Sequence, residues 1–402
     1  MPMDRQSADR ALTGLGAAHD RIAAAMFVID SHPGLAFLRG GGLAGRTAER
    51  AQTIAPEVDV LWAQFNALSD LLDRARAIRN QKRLGDDDWD ALRLLVSEPV
   101  LAVDVAGLPI EAGSKAVATV LRVGDLATGL EQRCAAVTAH LSEVDTAWSA
   151  IAGNFAPLTE AFGKVAAQAE ELGVGELARP LGERLDQARS DGLRDPLAAA
   201  PGGQPRPAVQ TRLRELTAEL DAVRQRVAEL AALRDGYQTR LAALRTRLDE
   251  VAAAESRVRD AYAIVAEKIA DPALPPPPDA AALLRTTLPG SGDVHTRQWV
   301  RLEKELNTLE ASVARALAHA DELREAADGL LDRRGELRGR LDAYRAKAAR
   351  VGFAEDGDLS VRYQQAHELL FTAPCDLRRS TQAVYAYQQA LAELIASTRG
   401  TS

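Results

Sequence analysis

The chain has 402 residues, a net charge of −8, 26% charged residues and only 4% aromatics. Ala, Leu and Val supply most of its apolar content, which suits long helices and excludes an aromatic-rich β-sandwich or a deep enzyme core. The negative balance excludes a general affinity for nucleic acid or anionic lipid, and the two distant cysteines, Cys134 and Cys375, exclude a disulfide framework or zinc module.

The first residues, MPMDRQSADRALTG, carry mixed charge where a secretory signal requires a basic start and an apolar core. The best early apolar run, Ile22 to Ile29, is too short to span a bilayer. The expectation is a cytoplasmic protein with no membrane span. A first helix covers Ala8 to His32 and ends before Pro33, and a glycine-rich turn, Arg39 to Gly45, follows. Gly40 to Thr47 matches G-x-x-x-x-G-R-T, one residue from a phosphate-binding loop, with Arg46 in place of the lysine. A true loop of that kind follows a buried strand in a parallel sheet, which the surrounding helical pattern does not provide. The preferred reading is a turn that ends one helix and starts the next, with Thr47 as N-cap of a second long helix.

That helix carries a stripe from Ile54 through Val58, Leu61, Phe65, Leu68 and Leu72 to Ala75, with Pro56 near its start. Trp89, Leu92 and Leu95 mark a short helix, and Val100 to Ile110 is the one segment whose alternation allows a strand. A third long helix repeats apolar residues in heptad steps from Val120 to Ile151. Two shorter helices, around Pro157 to Glu171 and Gly175 to Ser190, complete an N-terminal bundle over residues 1–200. A Pro/Gly linker occupies 201–207.

From Val209 to Ile269 apolar residues recur in alternating steps of four and three, and only Arg234 and Glu255 interrupt them. Period 3.5 predicts a coiled-coil seam on a helix roughly 90 Å long. Asp271 to Asp279, DPALPPPPD, stops it, and a loop over 271–296 containing Leu288 to Asp293 leads on. A second heptad runs from Trp299 to Val351, broken only by Arg334. Two such seams are covered most readily by packing on each other, so an antiparallel coiled-coil hairpin is expected over 208–351. Its register places Ile269 near Leu302, Glu255 beside Ala316 and within reach of water, Leu248 against Leu323, and Tyr237 against Arg334, stacked on it.

Residues 352–402 read as a C-terminal helical hairpin, with arms at Asp358 to Phe371 and Leu377 to Ile395 and Asp376 as N-cap of the second. The fold class is therefore all-α: an N-terminal helical bundle, a long antiparallel coiled-coil hairpin and a C-terminal helical hairpin. Tyr363, Phe371, Tyr385 and Tyr387 concentrate aromatic area in the last segment, which marks it as a partner site; the alternative is a capping hairpin on the coiled-coil end. No catalytic constellation, cofactor site or metal-ligand spacing stands out among the six histidines or the acidic runs Asp86–Asp88 and Glu355–Asp358. Cys134 lies on a heptad core position and Cys375 in a packed turn, both structural.

Two segments, Ser31 to Arg50 with Val60 to Arg79, and Tyr363 to Leu391, carry a resemblance. They resemble an actinobacterial family of helical coiled-coil proteins. Its genes lie near a soluble Ser/Thr protein kinase and a glutamate- or glutamine-binding lipoprotein, and some members are membrane-anchored sensors. The resemblance implies an adaptor in amino-acid-responsive kinase signalling and assigns no functional residue. The expected function is a non-enzymatic scaffold or adaptor for other proteins. The alternatives are a structural or filament-forming coiled coil and a nucleotide-binding protein using Gly40 to Thr47. The heptads leave open whether pairing stays within one chain or also joins copies of it.

Overall fold

The computed structural model of this chain describes residues 5–289 and 298–399. The first four residues, the Gly290–Asp293 part of the expected loop, and His295 lie outside the described residues. The fold is all-α with extensive helix–helix packing; one two-stranded sheet is its only sheet among the described residues. The chain divides into two compact units, Met1–Glu171 with Gly175–Val227, and Leu172–Val174 with Ala228–Ser402.

The first unit opens with α1 (Arg5–Asp30), α2 (Pro33–Arg39), α3 (Gly45–Arg79) and α4 (Asp86–Ser97). The antiparallel strands β1 (Pro99–Val103) and β2 (Thr119–Arg122) come next, then α5 (Val123–Glu171), α6 (Arg179–Arg194), the short α7 (Pro196–Ala199) and the start of α8 (Pro207–Lys268). β1 sits where alternation allows a strand. β2 does not match expectation, because Val120 and Val123 continue the apolar stripe of α5 and read as its first turn. α5 also runs straight through Pro157, where the sequence predicts a helix start.

The core of this unit forms where α1, α3 and α5 bring Ile22, Met26, Leu61, Leu68, Leu130 and Leu141 together, all buried. Gly34 in α2 is required by close approach: a Cβ there would stand 2.5 Å from the Leu141 carbonyl oxygen. By length and composition α1 is apolar enough to cross a membrane, contrary to what the Ile22–Ile29 run alone suggests. In this fold its Ile22, Met26 and Ile29 are fully buried core residues.

The second unit holds the rest of α8, then α9 (Ala280–Thr286), α10 (Trp299–Arg350), α11 (Gly357–Phe371) and α12 (Leu377–Arg399). The two long seams do meet, but α8 and α10 run in the same direction. Tyr237 packs edge-on against Trp299, with ring centroids 6.0 Å apart. Arg240 pairs with Glu310 at 2.7 Å. Further along, Ala254 and Val258 cluster with Ala320 and Leu323, and Val265 and Ile269 cluster with Ala327. Each step forward on α8 is a step forward on α10, so the expected antiparallel register is overturned. Ile269 lies beside Ala327 rather than Leu302, and Tyr237 meets Trp299 rather than Arg334.

The segment between the helices makes this possible by turning back along them. Ala280 and Ala281, at the start of α9, donate their amides to Glu255 at 2.6 and 3.1 Å. Arg285 then pairs with Asp249. Contacts that climb in number along the loop descend along α8, which returns the chain toward the Tyr237 end before α10 begins. Beyond α10, the turn after α11 docks on the end of α8: the Cys375 amide donates to the Lys268 carbonyl and the Ala270 amide to the Cys375 carbonyl, both at 2.9 Å. Asp376 caps α12, as expected, by accepting from the Arg378 and Arg379 amides at 3.0 and 2.9 Å.

Candidate functional site

The glycine-rich loop before α3 is the natural place to look for an anion, because three or four amides at a helix start have no partner within the helix. Here they have one from the chain itself. The Asp195 carboxylate accepts from the Arg46 amide at 3.1 Å, the Thr47 amide at 3.0 Å and the Thr47 hydroxyl at 2.8 Å. The same carboxylate accepts from the Ala198 amide at the start of α7. Thr47 is not the N-cap of α3; that position is Ala44, which has no capping side chain. Thr47 is instead buried inside the first turn, and its hydroxyl accepts from the Leu197 amide at 3.2 Å. Gly45 has a positive φ of 50° and stands so close to Asp195 that a side chain would collide with the carboxylate. The amides that would cradle a phosphate are thus occupied by a side chain about 150 residues away.

The three polar interruptions of the seams separate into one half-buried residue and two buried ones. Arg234 is half-buried and bonds its neighbour Asp235 at 2.9 Å. Glu255 is 2% exposed, and the water it was expected to reach is replaced by the two amides of α9. Arg334 is 7% exposed and does not stack on Tyr237. It donates to the Leu370 carbonyl at 3.1 Å and the Thr372 carbonyl at 3.0 Å, where α11 ends. Arg338, one turn on, donates to the same Leu370 oxygen and lies over the Phe371 ring at 4.3 Å. Burial holds the Arg338 guanidinium below its ordinary pKa, and neighbouring Arg334 adds to the shift.

The four aromatics of the last two helices do not share one surface. Phe371 is 43% exposed and stacked on His367, with centroids 4.1 Å apart. Tyr385 is 58% exposed, its hydroxyl accepting from Gln389. Tyr387 is 2% exposed and packs edge-on against the half-buried Tyr363 at 5.9 Å. Tyr363 in turn lies under Arg345, whose guanidinium sits 4.6 Å from the ring centre and donates to the Tyr363 hydroxyl at 3.0 Å. Burial pushes the Tyr387 phenol up, the Arg345 charge opposing. The sequence reading missed all three arginines of this region, Arg334 as a capping group and Arg338 and Arg345 as aromatic partners. Their spacing on α10 is the signal that could have found the last two. Positions seven apart share a face, and an aromatic hairpin follows directly.

Both cysteines are buried. The Cys134 thiol donates to the Met26 sulfur at 3.5 Å and is pushed up in pKa by burial; Cys375 lies 3.3 Å from the Ser380 hydroxyl. No group of three or more metal-ligating side chains occurs among the described residues. Compared with known protein families, curated proteins and solved structures, the chain has no significant match.

Proposed function

We propose that this chain is a non-enzymatic coiled-coil scaffold that holds partner proteins, acting as an adaptor in amino-acid-responsive Ser/Thr kinase signalling in the cytoplasm. The observation that carries the scaffold reading is the use of its charged and aromatic groups. Asp195, Glu255, Arg334 and Arg338 all serve backbone amides or carbonyls at element ends. Such groups fix architecture rather than act on a substrate. Two large aromatics on the C-terminal helices, Phe371 and Tyr385, remain exposed instead of joining the core, and aromatics of this kind are favoured at interfaces. Side-by-side pairing of α8 with α10 supports a stiff element behind that surface. The kinase assignment rests on the resemblance of the Ser31–Arg50, Val60–Arg79 and Tyr363–Leu391 segments alone.

The test is affinity capture of the full chain from an actinobacterial host, run alongside the F371A/Y385A variant. The expected result is recovery of a Ser/Thr kinase or its signalling partners with the parent and their loss with the variant. Recovery of no signalling protein overturns the adaptor reading. A concentration-dependent growth in size to open-ended assemblies would replace it with the filament reading.

A further inference from the structure

Between α10, α11 and α12 lies a cavity of about 330 Å³ whose polar wall is made of donors. Arg345, Ser360, Tyr363, Gln364 and Tyr387 line it, and no carboxylate side chain does. The remaining wall is apolar, with Phe353 and Leu359 its largest members. We infer that this cavity binds a small monocarboxylic acid, its carboxylate held by Arg345 and the two tyrosine hydroxyls and its short hydrocarbon body against the apolar wall.

Three observations lead there. Arg345 has no carboxylate partner among the described residues, yet its guanidinium is held flat over Tyr363 with one N–H tied to the Tyr363 hydroxyl. That stacking pre-orients a planar fork whose other N–H groups suit a carboxylate bidentately. The Tyr363 hydroxyl accepts from Arg345, which leaves its own proton free to donate. Tyr387 is 2% exposed, and no hydrogen-bond partner for its hydroxyl occurs among the described residues. That hydroxyl is not sealed in the packing, unlike the Tyr262 hydroxyl, which is buried and unpartnered. The opening it reaches is the cavity it lines. A phenol hydroxyl with an unmade bond and a pre-oriented guanidinium without a carboxylate partner thus face one opening.

The chemistry narrows the ligand. One guanidinium matches one negative charge, which favours a carboxylate over a phosphate dianion. The cavity lies at the small end of the usual range for ligand pockets, enough for a short acyl or a single aromatic body. The site stands apart from the exposed face of Phe371 and Tyr385 and does not depend on the adaptor reading.

Calorimetric titration of the full chain with straight-chain monocarboxylates from acetate to octanoate tests the assignment, with the matching primary amides and inorganic phosphate as controls. The expected result is saturable one-to-one binding with an optimum at intermediate chain length, and affinity at least about tenfold weaker for the amides. R345M is expected to weaken binding about tenfold or more and Y387F about fivefold. Arg345 is exposed, so R345M decides the matter even if Y387F fails to fold. Absence of saturable binding by every acid, binding unchanged in R345M, or inorganic phosphate binding more tightly than all of the acids would each overturn the proposal.

Discussion

The two units solve the same problem, the unpaired backbone groups at the ends of elements, from opposite directions. In the first unit the polar groups come from short connecting pieces and reach helix starts. Asp195, just before α7, caps α3, and His32, just before α2, accepts from the Gly34 amide through Nδ1 at 3.0 Å. In the second unit the polar groups come from the middle of long helices and reach out to the connections. Glu255 of α8 holds the start of α9, and Arg334 of α10 holds the end of α11. The two buried charges that interrupt the long apolar seams, Glu255 and Arg334, are therefore landing points for the chain's own loops, not flaws in the seams. Asp195, in a short connector, caps a helix some 150 positions away.

The largest effect that could break this comparison concerns direction. Spin labels at 240 and 310 should lie close, because Arg240 and Glu310 pair. Labels at 240 and 331 probe the antiparallel register. Position 331 lies about 30 Å farther along α10 than position 310, at ~1.5 Å per residue, so the second distance should be much the longer. A short 240–331 distance with a long 240–310 distance would restore the hairpin and remove the landing role of Glu255.

Next comes Asp195→Ala, which takes one charged acceptor from three α3 groups and from the Ala198 amide together. Loss of a shared, charge-assisted cap of this kind should cost about 2–3 kcal/mol, read as a lower urea midpoint. Nucleotide titration of the same variant is informative, since it frees the amides of the glycine-rich loop. Magnesium-dependent binding by the parent chain, with Asp195 in place, would contradict the occupied geometry.

Direction was also the main thing the sequence could not convey. Helix limits were legible: α8, α10 and α12 start or stop within a few residues of the proline breaks and the Asp376 cap. A heptad seam has the same spacing read from either end, so it specifies pairing and not polarity. The one available clue was loop length. Antiparallel neighbours need connections of only a few residues, whereas Ile269 and Trp299 stand 30 positions apart. Returning from the level of Ile269 to that of Tyr237 needs about 48 Å, and a chain of that length can extend to roughly 95 Å. β2 stayed hidden because its valine, Val120, shares the stripe of α5. The Asp195 cap stayed hidden because no local pattern links it to Gly45 across 150 positions. At the aromatic hairpin, half of the answer was within reach. Tyr385 and Tyr387 are two residues apart on one helix and so point to nearly opposite faces; only one of them could be surface.

A smaller effect separates the two buried seam charges from ordinary ion pairs. Glu255→Ala and Arg334→Met should each cost about 1–3 kcal/mol: the first takes the acceptor from two amides of α9, and the second takes the donor from the Thr372 carbonyl, while the Leu370 carbonyl keeps Arg338. Glu255→Gln keeps an acceptor and should recover most of the first loss. Equal melting of Glu255→Ala and the parent would mean that α9 is held by its apolar contacts alone, and the landing-point idea would fail for that loop.

The smallest effect comes from Arg240 and Glu310, and its dependence on pH is what makes it useful. The hydrogen bond from Arg240 holds the Glu310 carboxyl below its ordinary value of 4.5. A carboxylate lowered in the folded state contributes stability that is fully present above its unfolded pKa and is lost as pH falls through the lowered folded value. Both side chains are about one-third exposed, so solvent screening limits the pair to roughly 0–1 kcal/mol. Arg240→Ala should therefore lower the urea midpoint slightly at about pH 7, and the part of that loss owed to Glu310 should shrink as pH falls through the lowered folded value of the glutamate. Arg334→Met should behave differently. Its acceptors are the carbonyls of Leu370 and Thr372, which do not titrate, so its cost should persist into acid for as long as the unit stays folded. If both losses vanish together at low pH, Arg334 draws its stabilisation from an unrecognised carboxylate, and the distinction between a seam charge that holds a loop and one that merely pairs across the helices disappears.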